Sequence, residues 1–272
     1  MDGTPGTREA AAPDVLVRVQ RHPDGVAEIV LDRPSAMNAI STGMARALHA
    51  ATAEVAVDPG VRVVVLSSTH AKAFCVGADL KERSSFSDED LRAQRLVTRP
   101  AYASVLDLEV PAIAAVEGFA LGGGCEIALC CDLIVAGATA TFGLPEVSVG
   151  VIPGAGGTQL LARRVGWSRA ADLIFTARKV DAGQAHALGL VDRLVDAGGA
   201  REAALALAAQ IAQNSPVGVR NAKRAMRLGL DVPLAAGLEV EDAAWRATAF
   251  SADRAEGVAA FAQKRAPRWP AR

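Results

Sequence analysis

The sequence predicts an α/β fold, and three observations predict it. Runs such as VRVVVLS (61–67) and AIAAVEG (112–118) read as buried strands, helical patterns separate them, and helical patterns alone dominate the last part of the chain. Strands alternating with helices build a sheet through right-handed β-α-β crossovers. With 272 residues, 51% of them hydrophobic, the chain can bury one large core, alone or with a small appendage.

Taken in order, the opening MDGTPGTREAAAPD is polar, carries acids and lacks the apolar stretch of a signal peptide. It reads as a flexible tail over residues 1–14, and a cytoplasmic protein is expected. VLVRVQR alternates at Val15, Val17 and Val19, HPDG turns, and VAEIVL runs back, which is the pattern of a hairpin. Ser41 is a candidate N-cap for a helix that runs to the breaker Asp58-Pro59-Gly60. The β-branched run 61–67 fits a strand buried on both faces. The polar, charged stretch 81–95 predicts a surface helix or a mobile loop.

A second buried strand follows at 112–118, then a glycine-led helix in LGGGCEIALCCD (121–132), then the strand DLIVAG (132–137). Beyond residue 155 the only strand pattern is LVDRLV near 190–195. Helical patterns cover 168–177, 199–213, 216–230, 233–249 and 251–265. The division expected is a core domain over 15–200 and a helical C-terminal region over 201–272, packed on its own body or on a neighbour.

Composition narrows the function classes. A net charge of −1 supplies no general field for nucleic acid or an anionic membrane. No stretch approaches the roughly 18 uninterrupted apolar residues of a membrane span. The four cysteines, Cys75, Cys125, Cys130 and Cys131, make no C-x-x-C pair, and the four histidines show no H-x-x-x-H spacing. No metal is expected. Three of the cysteines lie in an apolar helical run, as small hydrophobes do.

Three stretches can carry chemistry. Gly122-Gly123-Gly124 lies between a strand and a helix, where glycine lets a ligand approach and leaves helix-start N–H groups free for an anion or a polarised carbonyl. A tight turn explains the same glycines. Neither this run nor Gly154-Ala155-Gly156-Gly157 fits a nucleotide-phosphate motif. Glu126 and Glu146 are carboxylates in apolar settings, where an unpaired charge is costly and acidities can be tuned toward neutral pH. Each taken singly is equally explained as structural. AFCVGADLKE (73–82) follows a buried strand, the place where α/β sheets bind ligands.

Together, RPSAMNAI, AFCVGADLKE, GFALGGGCEIALCCDLIVA and FGLPEVSVGVIPGAGGTQLLARRVG resemble the signatures of the enoyl-CoA hydratase/isomerase (crotonase) family, in order and with similar spacing. The resemblance runs from about residue 15 to the C-terminus. It implies a crotonase-type spiral of repeated β-β-α units, with a helical C-terminal trimerisation region and a homotrimer or hexamer. It also implies an oxyanion hole made by the N–H groups of Ala78 and Gly123. Glu126 then orients and deprotonates the water that attacks Cβ, and Glu146 delivers the proton to Cα.

Ala36, Met37, Asp79, Leu80, Lys81, Gly122, Pro153 and Gly154 match substrate-binding positions. Arg33, Lys81 and Lys264 are the cations expected near the phosphates of coenzyme A. That molecule enters as part of the acyl-CoA thioester substrate, and no separate cofactor is implied.

ADLKERSSFSDED, LIFTARKVDAGQAHALGLVDRLV and RAEGVAAFAQKRAPRW look similar to the methylglutaconyl-CoA hydratases, a branch that includes an RNA-binding member. The helix that carries lysines for RNA in that member offers Arg46 here and no row of lysines, so no nucleic-acid partner is expected. Hydration of a 2-enoyl-CoA is the activity expected, with 3-methylglutaconyl-CoA a reasonable substrate. An enoyl-CoA isomerase on the same scaffold and an RNA-binding protein are the competing readings. The acyl pocket wall is expected from residues 83–106.

Overall fold

The structure, a computed structural model, describes residues 15–272; the tail expected over residues 1–14 lies outside the described residues. Strands β1 (Val17–Arg21) and β2 (Val26–Leu31) form the expected antiparallel hairpin around a turn at Pro23–Gly25. Helix α1 (Thr42–Ala56) starts where Ser41 accepts the Met44 N–H, the role of an N-cap. Strands β3 (Val63–Ser68) and β4 (Ala73–Cys75) follow, then the single turn α2 (Leu80–Arg83). A capping box between Ser87 and Asp90 opens α3 (Asp88–Leu106). The charged stretch 81–95 is therefore mostly helix.

Next come β5 (Ala112–Val116), β6 (Phe119–Leu121), α4 (Gly123–Cys130), β7 (Leu133–Gly137) and β8 (Thr141–Gly143). Helices α5 (Gly157–Val165) and α6 (Trp167–Phe175) precede β9 (Val180–Asp181), α7 (Ala182–Leu188) and β10 (Arg193–Val195). Helices α8 (Ala200–Ala212), α9 (Pro216–Gly229), α10 (Leu234–Ala249) and α11 (Ala252–Ala262) finish the chain.

The strands sort into two sheets in a regular way. The larger has the order β1-β2-β3-β5-β7-β10, parallel from β2 onward; the smaller has the order β4-β6-β8-β9. From β3 to β7, each strand of the larger sheet is thus followed by a short one in the other sheet and then by helix: β3-β4-α2, β5-β6-α4, β7-β8-α5. This is the repeated β-β-α spiral of the crotonase fold.

Alternation along β3 shows why Val63, Val64, Val65 and Leu66 are all apolar. Val64 and Leu66 face the main core, while Val63 and Val65 face a second one beneath α8. A strand covered on both sides reads as an apolar run, and Ser67, the buried polar side chain of β3, donates to Glu28 (2.5 Å). Helix α8 supplies Ala200, Ala204, Leu207, Ala208 and Ala212 to that second core, spaced as one helical face. Of the helical region expected over 201–272, residues 201–212 pack on the body of the chain.

Helix α9 is tied to the body by Lys223 and Arg227, whose side chains both reach Asp132 at 2.8 Å. Among the described residues no helix is long and apolar enough to cross a membrane.

Candidate active site

Parallel pairing of β4, β6 and β8 brings three loops to one edge of the small sheet, because each strand leaves that sheet in the same direction. The loop after β4 carries Gly77-Ala78, the loop after β6 carries Gly122-Gly123, and the turn after β8 carries Glu146. They meet in a cavity of about 340 Å³. Ala78, Leu80, Gly122, Gly123, Glu126, Glu146 and Gly154, seven positions expected from the sequence, all line it.

The backbone at Ala78 is prepared as a donor. Ile40 pairs beside it, giving its own N–H to the Gly77 carbonyl (2.7 Å) and accepting the Asp79 N–H (3.1 Å). That pattern uses the groups on either side of Ala78, and the Ala78 N–H donates to none of the described residues. Across the cavity, the Gly122 N–H is taken by the Gly143 carbonyl (2.9 Å), whereas that of Gly123, first residue of α4, has no such acceptor. The two loops touch closely. A side chain at Gly77, whose φ is +93°, would lie 3.1 Å from the Gly123 nitrogen. Two free N–H groups on adjacent loops, one reinforced by a helix start, suit an oxygen that gains negative charge.

Both carboxylates face this pair. Glu126 is buried in the first turn of α4, and its Oε1 accepts the N–H groups of Ala155 (2.6 Å) and Gly157 (2.8 Å). These bonds fix the carboxylate and leave its Oε2 free of described donors. Burial pushes the Glu126 carboxyl up, and the two N–H bonds and the Arg95 charge only partly oppose it. Glu146 opens the 3-10 turn Glu146–Val149, and its buried Oε2 has no hydrogen-bond partner. Burial, with the Glu126 charge added, pushes Glu146 up to about 7. A buried acceptor with nothing to accept fits a site that a reactant completes.

The remaining expected positions lie elsewhere. Asp79 does not line the cavity: it caps α2 by accepting the Lys81 and Glu82 N–H groups, and it pairs with Arg33 at 2.6 Å. Asp79 and Arg33 therefore neutralise each other, and Arg33 is not a free cation. Lys81 is exposed on α2 outside the cavity, and Lys264 is exposed just past α11. Ala36 and Met37 form the surface turn whose Met37 carbonyl accepts the Val76 N–H (3.3 Å), beside the oxyanion loop but outside the cavity. Pro153 is buried behind it, packed under Gly157.

The structure adds Arg83, Leu91, Arg95, Thr98 and Tyr102 from α2 and α3 as one wall. They fall within 83–106, where a wall was expected, but no motif marked them individually. For Leu91, Arg95, Thr98 and Tyr102 the only common signal is spacing by three, four or seven on one face of α3, and Arg83, on α2, shares none of it.

Comparison with known proteins accords with this geometry. The profile of the family described as Enoyl-CoA hydratase/isomerase matches residues 21–272. A probable enoyl-CoA hydratase 2, mitochondrial, of Arabidopsis thaliana is 44% identical over 93% of this chain and 84% of its own length. The methylglutaconyl-CoA hydratase, mitochondrial, of Mus musculus is 38% identical over 90% of this chain and 79% of its own. The crystal structure of an enoyl-CoA hydratase from Bacillus anthracis superposes with a TM-score of 0.92 at 38% identity, covering 94% of this chain and all of that one. The chain is an enzyme that belongs to the enoyl-CoA hydratase/isomerase family.

Proposed function

We propose that the enzyme hydrates the 2,3 double bond of a 2-enoyl-CoA reversibly, giving a 3-hydroxyacyl-CoA. The observation that carries this reading is the pair of carboxyls, Glu126 and Glu146, on the same cavity as two unpaired backbone N–H groups. The thioester oxygen takes the N–H groups of Ala78 and Gly123, which stabilise the enolate-like charge as it develops. Glu126, held through Oε1, presents Oε2 to a water, orients it and accepts its proton as oxygen bonds to Cβ. Glu146, protonated below about pH 7, gives its proton to Cα. Dehydration runs the same steps backwards with the roles exchanged. Coenzyme A enters only as part of the substrate.

A short, branched, acidic acyl group such as 3-methylglutaconyl is part of the proposal. Its support is Arg83, a cation on the cavity wall that uses only its Nε, on Gln94 (2.8 Å), and forms no ion pair among the described residues. Assembly as a homotrimer or hexamer is also proposed. Leu234, Trp245, Phe250 and Phe261 on and after α10 and on α11 stand exposed on the single chain, which leaves an apolar face for another copy to cover.

The test is hydration of crotonyl-CoA and 3-methylglutaconyl-CoA by the wild type, Glu126→Gln and Glu146→Gln. Turnover by wild type that collapses in both variants supports the two-carboxylate reading. No turnover of either substrate by the folded wild type sinks it, and double-bond migration without water uptake moves the assignment to an isomerase.

A further inference from the structure

We propose that Arg95 is a positioning residue for the water-activating carboxylate, acting through a single shared peptide group. Arg95 stands on α3, and its Nη2 donates to the Gly154 carbonyl at 2.6 Å. That carbonyl and the Ala155 N–H belong to one amide, and the Ala155 N–H donates to Glu126 Oε1 at 2.6 Å. Guanidinium and carboxylate thus hold opposite ends of the same peptide. A cation at an amide oxygen draws charge through the group and makes its N–H a stronger donor.

The arrangement also fixes the orientation of this peptide. Gly154 has no side chain to anchor it, Ala155 packs its methyl on the main core, and the described hydrogen bonds of the Gly154–Ala155 peptide are those with Arg95 and Glu126. Rotation of this peptide removes one of the two N–H groups that aim Glu126. Arg95 forms no ion pair among the described residues, so its charge is directed to the carbonyl rather than to another acid. Other groups face Glu126 as well. Glu146 approaches from the 3-10 turn, the Tyr102 hydroxyl comes from α3, and the Cys125 and Cys130 thiols from α4 itself. Arg83 lines the same cavity, but Arg95 is the cation whose field reaches Glu126 and favours its ionised form.

The inference rests on the hydratase reading, and its test separates the two. Arg95→Gln and Arg95→Lys are compared with wild type in crotonyl-CoA hydration over the pH range in which Glu126 titrates. The expected result for Arg95→Gln is a kcat lower by about tenfold, with KM nearly unchanged and the acid limb of kcat/KM moved to higher pH. Arg95→Lys keeps a cation and a donor and recovers most of the loss.

In parallel, the Glu126 carboxyl is titrated by carbon-13 NMR in wild type and Arg95→Gln, a readout that needs no turnover. A higher Glu126 midpoint in the variant is expected. An unmoved midpoint and acid limb, or a Lys variant no better than Gln, overturns the role of Arg95. Absence of hydration by wild type with the midpoint shifted as expected overturns the hydratase reading and leaves the coupling of Arg95 to Glu126 standing.

Discussion

The hydroxyl of Tyr102 occupies the space that a side chain at Gly123 would need. The N–H of Gly123, the proposed oxyanion donor on α4, is therefore backed directly by a buried phenol, and glycine at 123 is a condition of that contact. Burial, with the thiol of Cys75 and the carboxylate of Glu126 nearby, pushes the Tyr102 hydroxyl well above its usual range, so it stays protonated. Gly123→Ala must displace either the ring or the first turn of α4. A loss of kcat of roughly 10²- to 10³-fold is expected, the cost of one misplaced oxyanion donor. Tyr102→Phe on top of Gly123→Ala removes the nearest clashing atom and should restore part of the rate in steady-state assays. No recovery would place the damage in α4 itself.

On the proposed mechanism, two acids of shifted and unequal acidity give hydration a bell-shaped pH profile. Glu146 must be protonated, so the basic limb of kcat/KM is expected near pH 7. Glu126 must be ionised, so the acid limb is expected above the ordinary glutamate value of 4.5. Glu126→Gln removes a neighbouring charge that helps raise Glu146, and a titration of Glu146 in that variant should give a lower midpoint.

Stability follows the same acidity. The folded chain holds the Glu146 proton more tightly than the unfolded chain does, so this group favours folding at low pH and opposes it as pH rises through 4.5 to about 7. Glu146→Gln should melt higher than wild type at pH 8 and equally at pH 4. With the group partly exposed, the gain is about 1 kcal/mol, or ~2–4 °C in Tm. An equal Tm at both pH values would count against the burial of this carboxyl.

Glu28, fully buried on β2, accepts Ser67 Oγ (2.5 Å), bonds His22 Nε2 (2.7 Å) and receives both Nε and Nη2 of Arg201 (2.7 Å each). Burial raises its pKa, but the bonds from Arg201, Ser67 and His22 outweigh that and hold it below the usual glutamate range. Its stabilisation is present above pH 4.5 and is lost as pH falls through the lower folded value. Arg201→Ala leaves the buried carboxylate short of its main partner and should cost about 3 kcal/mol in urea unfolding near neutral pH. The deficit should shrink on acidification; a deficit independent of pH would make Arg201 a packing residue only.

Asp79→Ala removes both the cap of α2 and the partner of Arg33. A loss of about 1 kcal/mol in stability is expected from the cap. A weaker KM for acyl-CoA should accompany it, because α2 follows the Ala78 loop directly. An unchanged KM would show that the loop keeps its shape without the cap.

Much of this protein was decided by local sequence. The hairpin, the Ser41 cap, the doubly buried strand expected at 61–67 and the helices α6 and α8 to α11 follow from period, caps and breakers, which act over a few residues. The glycines and acids of the site were also visible, as Gly122-Gly123, Glu126 and Glu146 in apolar surroundings. What tertiary structure decided is of a different kind. The short strands β4, β6 and β8 carry only three residues each, too few for a period to show, and gain their hydrogen bonds from partners 20 or more positions away. Helix α8 joined the body because its alanines meet the far face of β3, which no local pattern records.

The same holds within the site. Asp79 looked like a ligand contact until Arg33, 46 positions earlier, was found against it. Arg95 and Tyr102 fell within the stretch 83–106 expected as a pocket wall, with nothing to mark them individually. Their places opposite Gly154 and Gly123 exist only because α3 crosses the mouth of the cavity, and hydrogen bonds between segments so far apart are specified by packing, not by sequence spacing.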